Sequence, residues 1–299
     1  MVPLSDNMRG AALMMGSMAA FTFNDACMKA ASDEVPFFQA LFVRGCGTIL
    51  LLLVLSRVMG SLRLRLSRRD WGLICVRTLA ETGAAYFFIS ALFNMPLANV
   101  TAILQAVPLA VTLAGALFLG EAVGWRRWLA IGIGFGGVLL IVRPGTEGFN
   151  VFSVYALISV GCVTLRDLVT RRLSGGVPSM TVALSAALGV TLFAGLGAAG
   201  TDWVPLGARP GLQLAGATVF VICGYIFSIM AMRVGEVAVV APFRYTALIW
   251  ALLLGAAVFG DWPSGVTLVG AAIVVATGIF TFYRERRLAR PGPVPLRLR

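Results

Sequence analysis

Ten apolar runs, each long enough to cross a membrane as one helix, constrain the fold of this 299-residue chain more than any other feature. A helix of roughly 20 residues spans the hydrocarbon core of a bilayer, which is about 30 Å thick. Only 12% of the residues are charged, against about 25% in soluble domains. The sequence therefore predicts an all-α membrane protein with ten transmembrane helices. The predicted spans are residues 8–31, 36–56, 71–92, 98–119, 127–142, 151–170, 178–199, 211–232, 238–259 and 266–284.

The basic residues between the runs indicate how the helices are oriented. If the N-terminus is cytoplasmic, seventeen arginines lie in cytoplasmic segments, whereas Lys29, Arg143 and Arg209 lie on the other side. Cytoplasmic loops of membrane proteins carry an excess of arginine and lysine. We therefore expect a bacterial-type inner membrane protein with both termini in the cytoplasm, and a basic tail at 288–299 that contacts anionic lipid. The arginines form no basic surface interleaved with exposed aromatic residues, so nucleic acid is not expected as a partner.

Residue types that serve catalysis or metal binding are scarce. The sequence has no histidine, and its five cysteines lie inside apolar runs without a Cys-x-x-Cys pair. Phosphate loops, nucleophile motifs and clusters of metal ligands are absent from the sequence. We expect no metal and no cofactor, and we expect that the protein is not an enzyme.

The two halves of the chain resemble each other at an offset near 142 residues. The corresponding positions are Asp25 and Asp167, Lys29 and Arg171, Pro36 and Pro178, and, at slightly smaller offsets, Tyr86 and Tyr225 and Gly120-Glu121 and Gly260-Asp261. Their order predicts a duplicated five-span unit, with 1–146 as the first repeat and 147–287 as the second. Five is an odd number, so the second repeat enters the membrane from the opposite side. Such inverted repeats are typical of secondary transporters, which alternate between conformations open to opposite faces.

Two glycine-containing motifs carry a resemblance to a known family. Leu119-Gly120-Glu121 is followed by a glycine-rich run at 130–138, and Phe259-Gly260-Asp261 by a weaker run at 270–278. With ten spans and cytoplasmic termini, this pattern resembles the EamA-type branch of the drug/metabolite transporter superfamily, and it is similar to the YddG-like amino-acid exporters. Aspartate replaces glutamate in the second motif, so the two copies need not share a role there.

The resemblance implies a secondary transporter that exports small amphipathic metabolites by alternating access, most of all apolar or aromatic amino acids. A multidrug or other metabolite exporter of the same fold is the alternative, and a membrane-embedded enzyme or a non-transporting subunit is a remote one. We expect a cavity between the repeats, lined by the first, third, fourth, sixth, eighth and ninth spans. Gly132-x-x-x-Gly136 allows close helix packing, as a seam or in a weak homodimer, although a monomer is equally compatible.

Five charged residues are predicted to form latches. Charged side chains at membrane depth usually face protein or a water-filled cavity. Asp25 and Arg44 lie at similar depths in the first two spans, and Lys29 lies one helical turn after Asp25, so this carboxylate is positioned to bridge two cations. Asp167 and Arg171 occupy the corresponding positions at the opposite end of the molecule. The ion pairs at the two ends of the molecule are predicted to break alternately. A structural clasp between the first two spans is the alternative.

Three polar residues near the membrane midplane are candidates for substrate binding. Glu81 is expected to hold a substrate ammonium or to carry a proton, although an i,i+4 pair with Arg77 explains it without any function. Arg244 aligns with Gln105 at an offset of 139 residues and offers a bidentate fork for a substrate carboxylate. The alternative for Arg244 is an ion pair with Glu81.

Small and polar residues share one face of the fourth span, because they recur at steps of three and four. They are Thr101, Gln105, Pro108, Thr112 and Gly115. Pro108 is also predicted to interrupt the helix, which is tolerated next to a cavity. An apolar wall for a substrate side chain is expected from Tyr86, Tyr225, Tyr245 and Trp250. The full set of predicted substrate-binding residues is Asn24, Glu81, Tyr86, Thr101, Gln105, Tyr225, Arg244 and Tyr245.

Overall fold

The structure, a computed structural model, describes residues 4–59, 62, 65–121, 123–146 and 149–289. These residues form twelve α-helices and one 3₁₀ helix, and they contain no strand. The helices are α1 (Leu4–Ala31), α2 (Phe37–Met59), α3 (Arg68–Asn94), α4 (Leu97–Leu104), α5 (Val107–Phe118), α6 (Trp125–Val142), α7 (Val151–Thr170), α8 (Ser179–Ala198), α9 (Ala208–Val234), α10 (Val237–Val240), the 3₁₀ helix (Ala241–Tyr245), α11 (Thr246–Phe259) and α12 (Gly265–Ala289).

Nine segments of the described chain are long and apolar enough to cross a membrane. They coincide with nine of the ten predicted spans, and α4 and α5 together form one of them. Helix α1, at the remaining predicted span, is not among the nine, because its buried face carries polar residues such as Ser17, Thr22 and Asn24. Of the predicted basic tail, 288–289 belong to α12 and 290–299 lie outside the described residues.

Two spans are interrupted near their middles. Helix α4 ends before Gln105, and the N–H of Ala106 donates to the carbonyl of Ile103 at 3.0 Å in a 3₁₀-type turn. Pro108 follows in the first turn of α5, where the N–H that proline lacks would have had no helical partner. In the other span, the 3₁₀ helix that contains Pro242 separates α10 from α11. Such backbone is tolerated at membrane depth where it is packed in protein or lines a cavity.

The helices pack in pairs that join the two halves of the chain. Helix α1 packs against α9, α3 against α7, α2 against α8 and α6 against α12. A buried serine anchors two of these pairs. Ser17 Oγ donates to the carbonyl of Gly224 at 2.7 Å, and Ser159 Oγ donates to the carbonyl of Ala84 at 3.2 Å. A buried apolar cluster from α4, α5, α6, α7 and α12 supports this arrangement.

Helices α6 and α12 approach each other through glycines. A Cβ at Gly137 would lie 2.8 Å from the carbonyl oxygen of Gly270, so a larger residue requires the helices to shift. The seam predicted at Gly132 and Gly136 is wrong within this fold, because nothing lies within 4 Å of a Cβ at either position. Close packing therefore uses a different face of α6. A dimer contact through the two predicted glycines stays a prediction.

The glycine motifs end α5 and α11 in the same way. Gly120 and Gly260 have φ values of 67° and 68°, a left-handed conformation that glycine adopts without steric cost. The next residue in each motif, Glu121 or Asp261, then donates its N–H to the carbonyl six residues earlier, at 3.2 Å and 2.9 Å. The exchange of glutamate for aspartate thus leaves the turn unchanged.

Candidate functional site

A cavity of about 480 Å³ lies between the two halves of the chain. Its walls come from α1, α3, α4, α5, α7, α9, the 3₁₀ helix and α11, as predicted, and also from Arg44 of α2. Its volume falls within the range of about 300–1,000 Å³ that is usual for small-molecule sites. The predicted residues that line it are Asn24, Asp25, Arg44, Glu81, Thr101, Gln105, Pro108, Asp167, Tyr225, Arg244 and Tyr245.

Glu81 lies between two arginines in the cavity wall. Its carboxylate is 3.5 Å from Nη2 of Arg77 and 3.3 Å from Nη1 of Arg166, which belongs to α7. Arg166 also pairs with Asp167 at 2.8 Å. The predicted Arg77–Glu81 pair is confirmed. Arg166 was missed as a site residue, although an arginine inside an apolar run carries the same signal there as at Arg44.

Asn24 links Asp25 to Arg44. Asn24 Nδ2 donates to Asp25 Oδ1 at 2.8 Å, and Arg44 Nη1 donates to Asn24 Oδ1 at 3.3 Å. The predicted bridge from Asp25 to Lys29 is wrong in this conformation, because the Lys29 ammonium turns to backbone carbonyls instead. The charged groups of α1 and α2 are therefore joined through a neutral amide.

Lys29 lies one helical turn after Asp25, which lines the cavity, and we call this end of the cavity the Lys29 end. Its Nζ donates to the carbonyls of Leu92 at 3.1 Å and Met95 at 2.7 Å, and it lies 5.5 Å from the ring centre of Phe259. The last carbonyls of a helix lack helical partners and carry partial negative charge, so they attract a cation. Leu92 and Leu97 are fully buried beside this contact. These contacts thus hold α1 against the end of α3 at the Lys29 end.

The cavity reaches the surface at the other end, which we call the Arg171 end. Thr170 ends α7, lines the cavity and is exposed. The next residue, Arg171, pairs with Glu121 at 2.9 Å, with 48% and 41% of their side chains exposed. Arg171, which was predicted to form a latch together with Asp167, thus pairs with Glu121 in this conformation. Asp167 is not its partner, because Asp167 contacts Arg166.

Arg244 projects into the cavity without a close partner. Among the described residues, no carboxylate oxygen lies within 4.0 Å of its guanidinium nitrogens. The side chain is exposed, and it is exposed to the cavity because Arg244 lies in the 3₁₀ helix within the ninth predicted span. The alternative pair with Glu81 is not formed, since Glu81 contacts Arg77 and Arg166 instead.

Gln105 joins the two interrupted spans. Its Nε2 donates to the backbone carbonyl of Tyr245 at 3.4 Å. The Tyr245 ring packs toward Phe282 of α12, and its hydroxyl is buried against Gly278 with no hydrogen-bond partner in the described chain. This hydroxyl therefore does not reach a bound molecule, and the predicted role of Tyr245 in an aromatic wall needs correction.

Tyr86 and Trp250 do not line the cavity, which corrects the predicted aromatic wall further. The Tyr86 ring packs among phenylalanines of α2 and α8, where edge-to-face contacts stabilise it. Trp250 packs on an apolar cluster of α1 and α9. Tyr225 does line the cavity, and its ring meets Phe21 edge to face at 5.4 Å. The aromatic part of the wall thus centres on Tyr225 and Phe21.

Arginines outnumber carboxylates in the cavity wall. The charged lining residues are Arg44, Arg77, Arg166, Arg244, Asp25, Glu81 and Asp167. Each carboxylate already has a polar partner, so Arg244 is the group best placed to attract an anion. The contacts of Glu81 are longer than the 2.7–2.9 Å or so of strong charge-assisted hydrogen bonds, so this carboxylate can accept a further donor.

A charged cavity enclosed by helices that are long and apolar enough to span a membrane is typical of a membrane transporter. Residues 8–143 match the model of the EamA-like transporter family. This match lies in the first half of the chain.

Three similar proteins are transporters. The chain is 28% identical to a riboflavin transporter of Vibrio cholerae, over 95% of this chain and 96% of the relative. It is 23% identical to an S-adenosylmethionine uptake transporter of Rickettsia felis, over 91% of each chain. It is 26% identical to a pseudopaline exporter of Pseudomonas aeruginosa, over 89% and 94%. A crystal structure of another protein shares the fold, with a TM-score of 0.65 and 20% identity, over 94% of this chain and 99% of that one.

Proposed function

We propose that the protein is a secondary transporter that exports small amphipathic metabolites, and amino acids in particular, by alternating access. The observation that carries this proposal is the Arg244 guanidinium, which has no carboxylate within 4.0 Å among the described residues, in a cavity whose carboxylates are already partnered. A guanidinium binds a carboxylate through two parallel hydrogen bonds. Glu81 then accepts the substrate ammonium, and Tyr225 contacts its apolar part.

The alternation rests on a proposed inverted repeat of 1–146 and 147–287. Several pairs of structural features recur between the halves and support it. Ser17 and Ser159 are 142 residues apart, and their acceptors, Gly224 and Ala84, are 140 apart in the reverse sense. Each half thus donates the same hydrogen bond to the other. The interruptions at 105–106 and 241–245 and the two glycine turns correspond in the same way.

The orientation and direction of transport follow from separate arguments. The excess of arginine in alternate loops supports an inner membrane location with both termini in the cytoplasm. The Arg171 end of the cavity then faces the cytoplasm, as an exporter requires when it loads its substrate. The similar proteins include both an uptake transporter and an exporter, so they do not favour either direction of transport. The proposed export of substrate rests on the YddG-like resemblance alone. We propose that the protein acts as a monomer or a weak homodimer.

A larger flat substrate is the second candidate. The cavity of about 480 Å³ has room for more than one amino acid, and the riboflavin transporter of Vibrio cholerae aligns over 95% of this chain. A ring system of that kind would lie against Phe21 and Tyr225. It would leave the Arg244 guanidinium without a carboxylate, which is why we prefer amino acids.

Counterflow in proteoliposomes tests the proposal. Vesicles loaded with unlabelled amino acids are expected to accumulate the labelled amino acid transiently, with saturation, whereas protein-free vesicles do not. Riboflavin and S-adenosylmethionine are offered as competitors in parallel. Competition by apolar amino acids supports the proposal. Competition by riboflavin alone supports the second candidate, and no saturable exchange of any of them contradicts both.

A further inference from the structure

A small side pocket of about 70 Å³ adjoins the central cavity. It lies between α2, α3, α8 and α9, and five residues line both spaces: Arg44, Glu81, Ala85, Val221 and Tyr225. These residues therefore form the mouth of the side pocket, and Arg44 and Glu81 are its charged members. About 10–15 Å³ of such volume holds one water molecule, so the side pocket accommodates a group of a few heavy atoms.

The side pocket exists because α8 presents short side chains at this level. Ala183, Ala187 and Thr191 recur every four residues, so they share one face of the helix. Leu52 of α2 lines the same space. The two helices cannot move together to fill it, because a Cβ at Gly45 would already collide with Thr191. The contact between Gly45 and Thr191 thus prevents α2 and α8 from moving closer together. The short side chains of Ala183 and Ala187 leave the space between the helices unfilled.

The inside of the side pocket is mainly apolar, and its charges stay at the mouth. Thr48 and Thr191 donate their hydroxyl protons to carbonyls of their own helices, at 2.9 Å and 2.7 Å. The remaining inner lining consists of alanine, leucine and valine side chains. Burying an apolar group there is favourable, whereas a charged group would lose hydration without a matching partner. A molecule with a charged head and a short apolar tail fits this division.

We propose that the side pocket is the specificity subsite for the substrate side chain, and that it admits an aliphatic side chain of a few carbons but not an aromatic ring. The inference rests on the proposed function and narrows its substrate class. The ammonium of the amino acid lies at Glu81 at the mouth, and its carboxylate remains in the central cavity. The central cavity sets no tight limit on substrate size, whereas the side pocket does.

Substitution of Ala187 by leucine tests the subsite by filling it. The probes are glycine, alanine, valine, leucine and phenylalanine, each competing with labelled valine or glycine for exchange in proteoliposomes. In Ala187→Leu, the affinity for alanine and valine is expected to fall by about tenfold or more, since each misplaced methylene costs that much in a pocket. Glycine has no side chain, and its affinity is expected to stay within about twofold. Ala199→Leu, an exposed position at the end of the same helix, is the matched control.

Enlarging the side pocket is expected to have the opposite effect. Val190→Ala removes two carbons from its lining and is expected to raise the affinity for leucine relative to valine by about tenfold. If Ala187→Leu does not fold, Ala183→Val replaces it as the filled variant, because it adds fewer carbons to the same space. An unchanged ranking of the five amino acids in both the filled and the enlarged variants overturns the subsite while leaving amino-acid transport intact. If the wild-type protein exchanges none of the five, the proposed amino-acid function fails and the subsite fails with it.

Discussion

Gln105, at the break between α4 and α5, donates a hydrogen bond of 3.4 Å to the carbonyl of Tyr245, where the 3₁₀ helix meets α11. The bond connects the two interrupted spans at the point where each leaves the α-helical hydrogen-bond pattern. A carbonyl that is buried without a partner costs free energy, and no bulk water is present at this depth to satisfy it. Gln105 therefore stabilises both interruptions at once.

Replacement of Gln105 by leucine is expected to destabilise the protein. Loss of one buried hydrogen bond should lower the free energy of unfolding by about 0.5–1.5 kcal/mol. The measurement is the thermal midpoint of the purified protein in detergent. Gln213→Leu is the control, since Oε1 of Gln213 has no hydrogen-bond partner in the described chain. Equal losses in the two variants would contradict a specific role for the Gln105 bond.

Arg244 is expected to determine affinity for the carboxylate. Arg244→Gln should raise the half-saturation concentration of amino acids by about tenfold, the effect of losing a charge-assisted hydrogen bond of ~1.5 kcal/mol. Arg244→Lys should fall between, because an ammonium lacks the bidentate fork. Amino-acid amides, which have no carboxylate, serve as test compounds and should respond little.

Arg209→Gln is the matched control for Arg244, because 81% of the Arg209 side chain is exposed away from the cavity. Unchanged saturation by amino acids in Arg244→Gln, or an equal change for acids and amides, would show that the carboxylate lies elsewhere.

Glu81 tests how transport is coupled to protons. Glu81→Gln removes a carboxylate that contacts Arg77 and Arg166, and it cannot release a proton. Because Glu81 is also the proposed acceptor of the substrate ammonium, we expect this variant to need a higher substrate concentration for half-saturation. At saturating substrate it should keep downhill exchange but lose the dependence of the exchange rate on pH. Counterflow measured over a series of pH values provides the readout. Glu34→Gln, at an exposed pair with Arg209, is the control. A pH profile in Glu81→Gln identical to that of the wild type would assign the proton to another group.

The contact between α6 and α12 predicts opposite outcomes for adjacent glycines. Gly137→Ala places a Cβ 2.8 Å from the carbonyl oxygen of Gly270, and the forced separation should destabilise the protein by about 1–3 kcal/mol. Gly136→Ala meets nothing within 4 Å, and it should be neutral or stabilise the helix by up to about 1 kcal/mol. Thermal midpoints of both variants decide the matter. A larger loss at Gly136 would mean that this face is occupied, as in a dimer.

The spans and the elements of the cavity could be predicted from the sequence, because the thickness of a bilayer fixes the length of an apolar run and charge is costly within it. Glu81 was found by this cost, and Arg244 was found by the same cost and by its correspondence with Gln105 in the repeat. The sequence contains no comparable signal for the rotation of each helix about its own axis. Tyr86 was therefore predicted to lie in the cavity wall, yet it packs among phenylalanines outside the cavity.

The partners of charged groups were predicted less well, since they depend on distances between helices and on the backbone. Lys29 was paired with Asp25 from their spacing along one helix, but the free carbonyls at the end of α3 bind it instead. Backbone acceptors are not visible in a side-chain pattern. Arg171 likewise binds Glu121, which lies 50 residues away in sequence.

The central claim is that one cavity between the two halves opens in turn to either side of the membrane. The most direct test is a single cysteine at Thr101, which lines the cavity near its Lys29 end, in a variant whose five native cysteines are replaced by serine. A membrane-impermeant thiol reagent is applied to either face of oriented vesicles during exchange. We predict modification from both faces, a faster reaction from the Lys29 side after Lys29→Met, and protection by substrate on both faces. Modification from one face only, in every variant and with every substrate, would contradict the account.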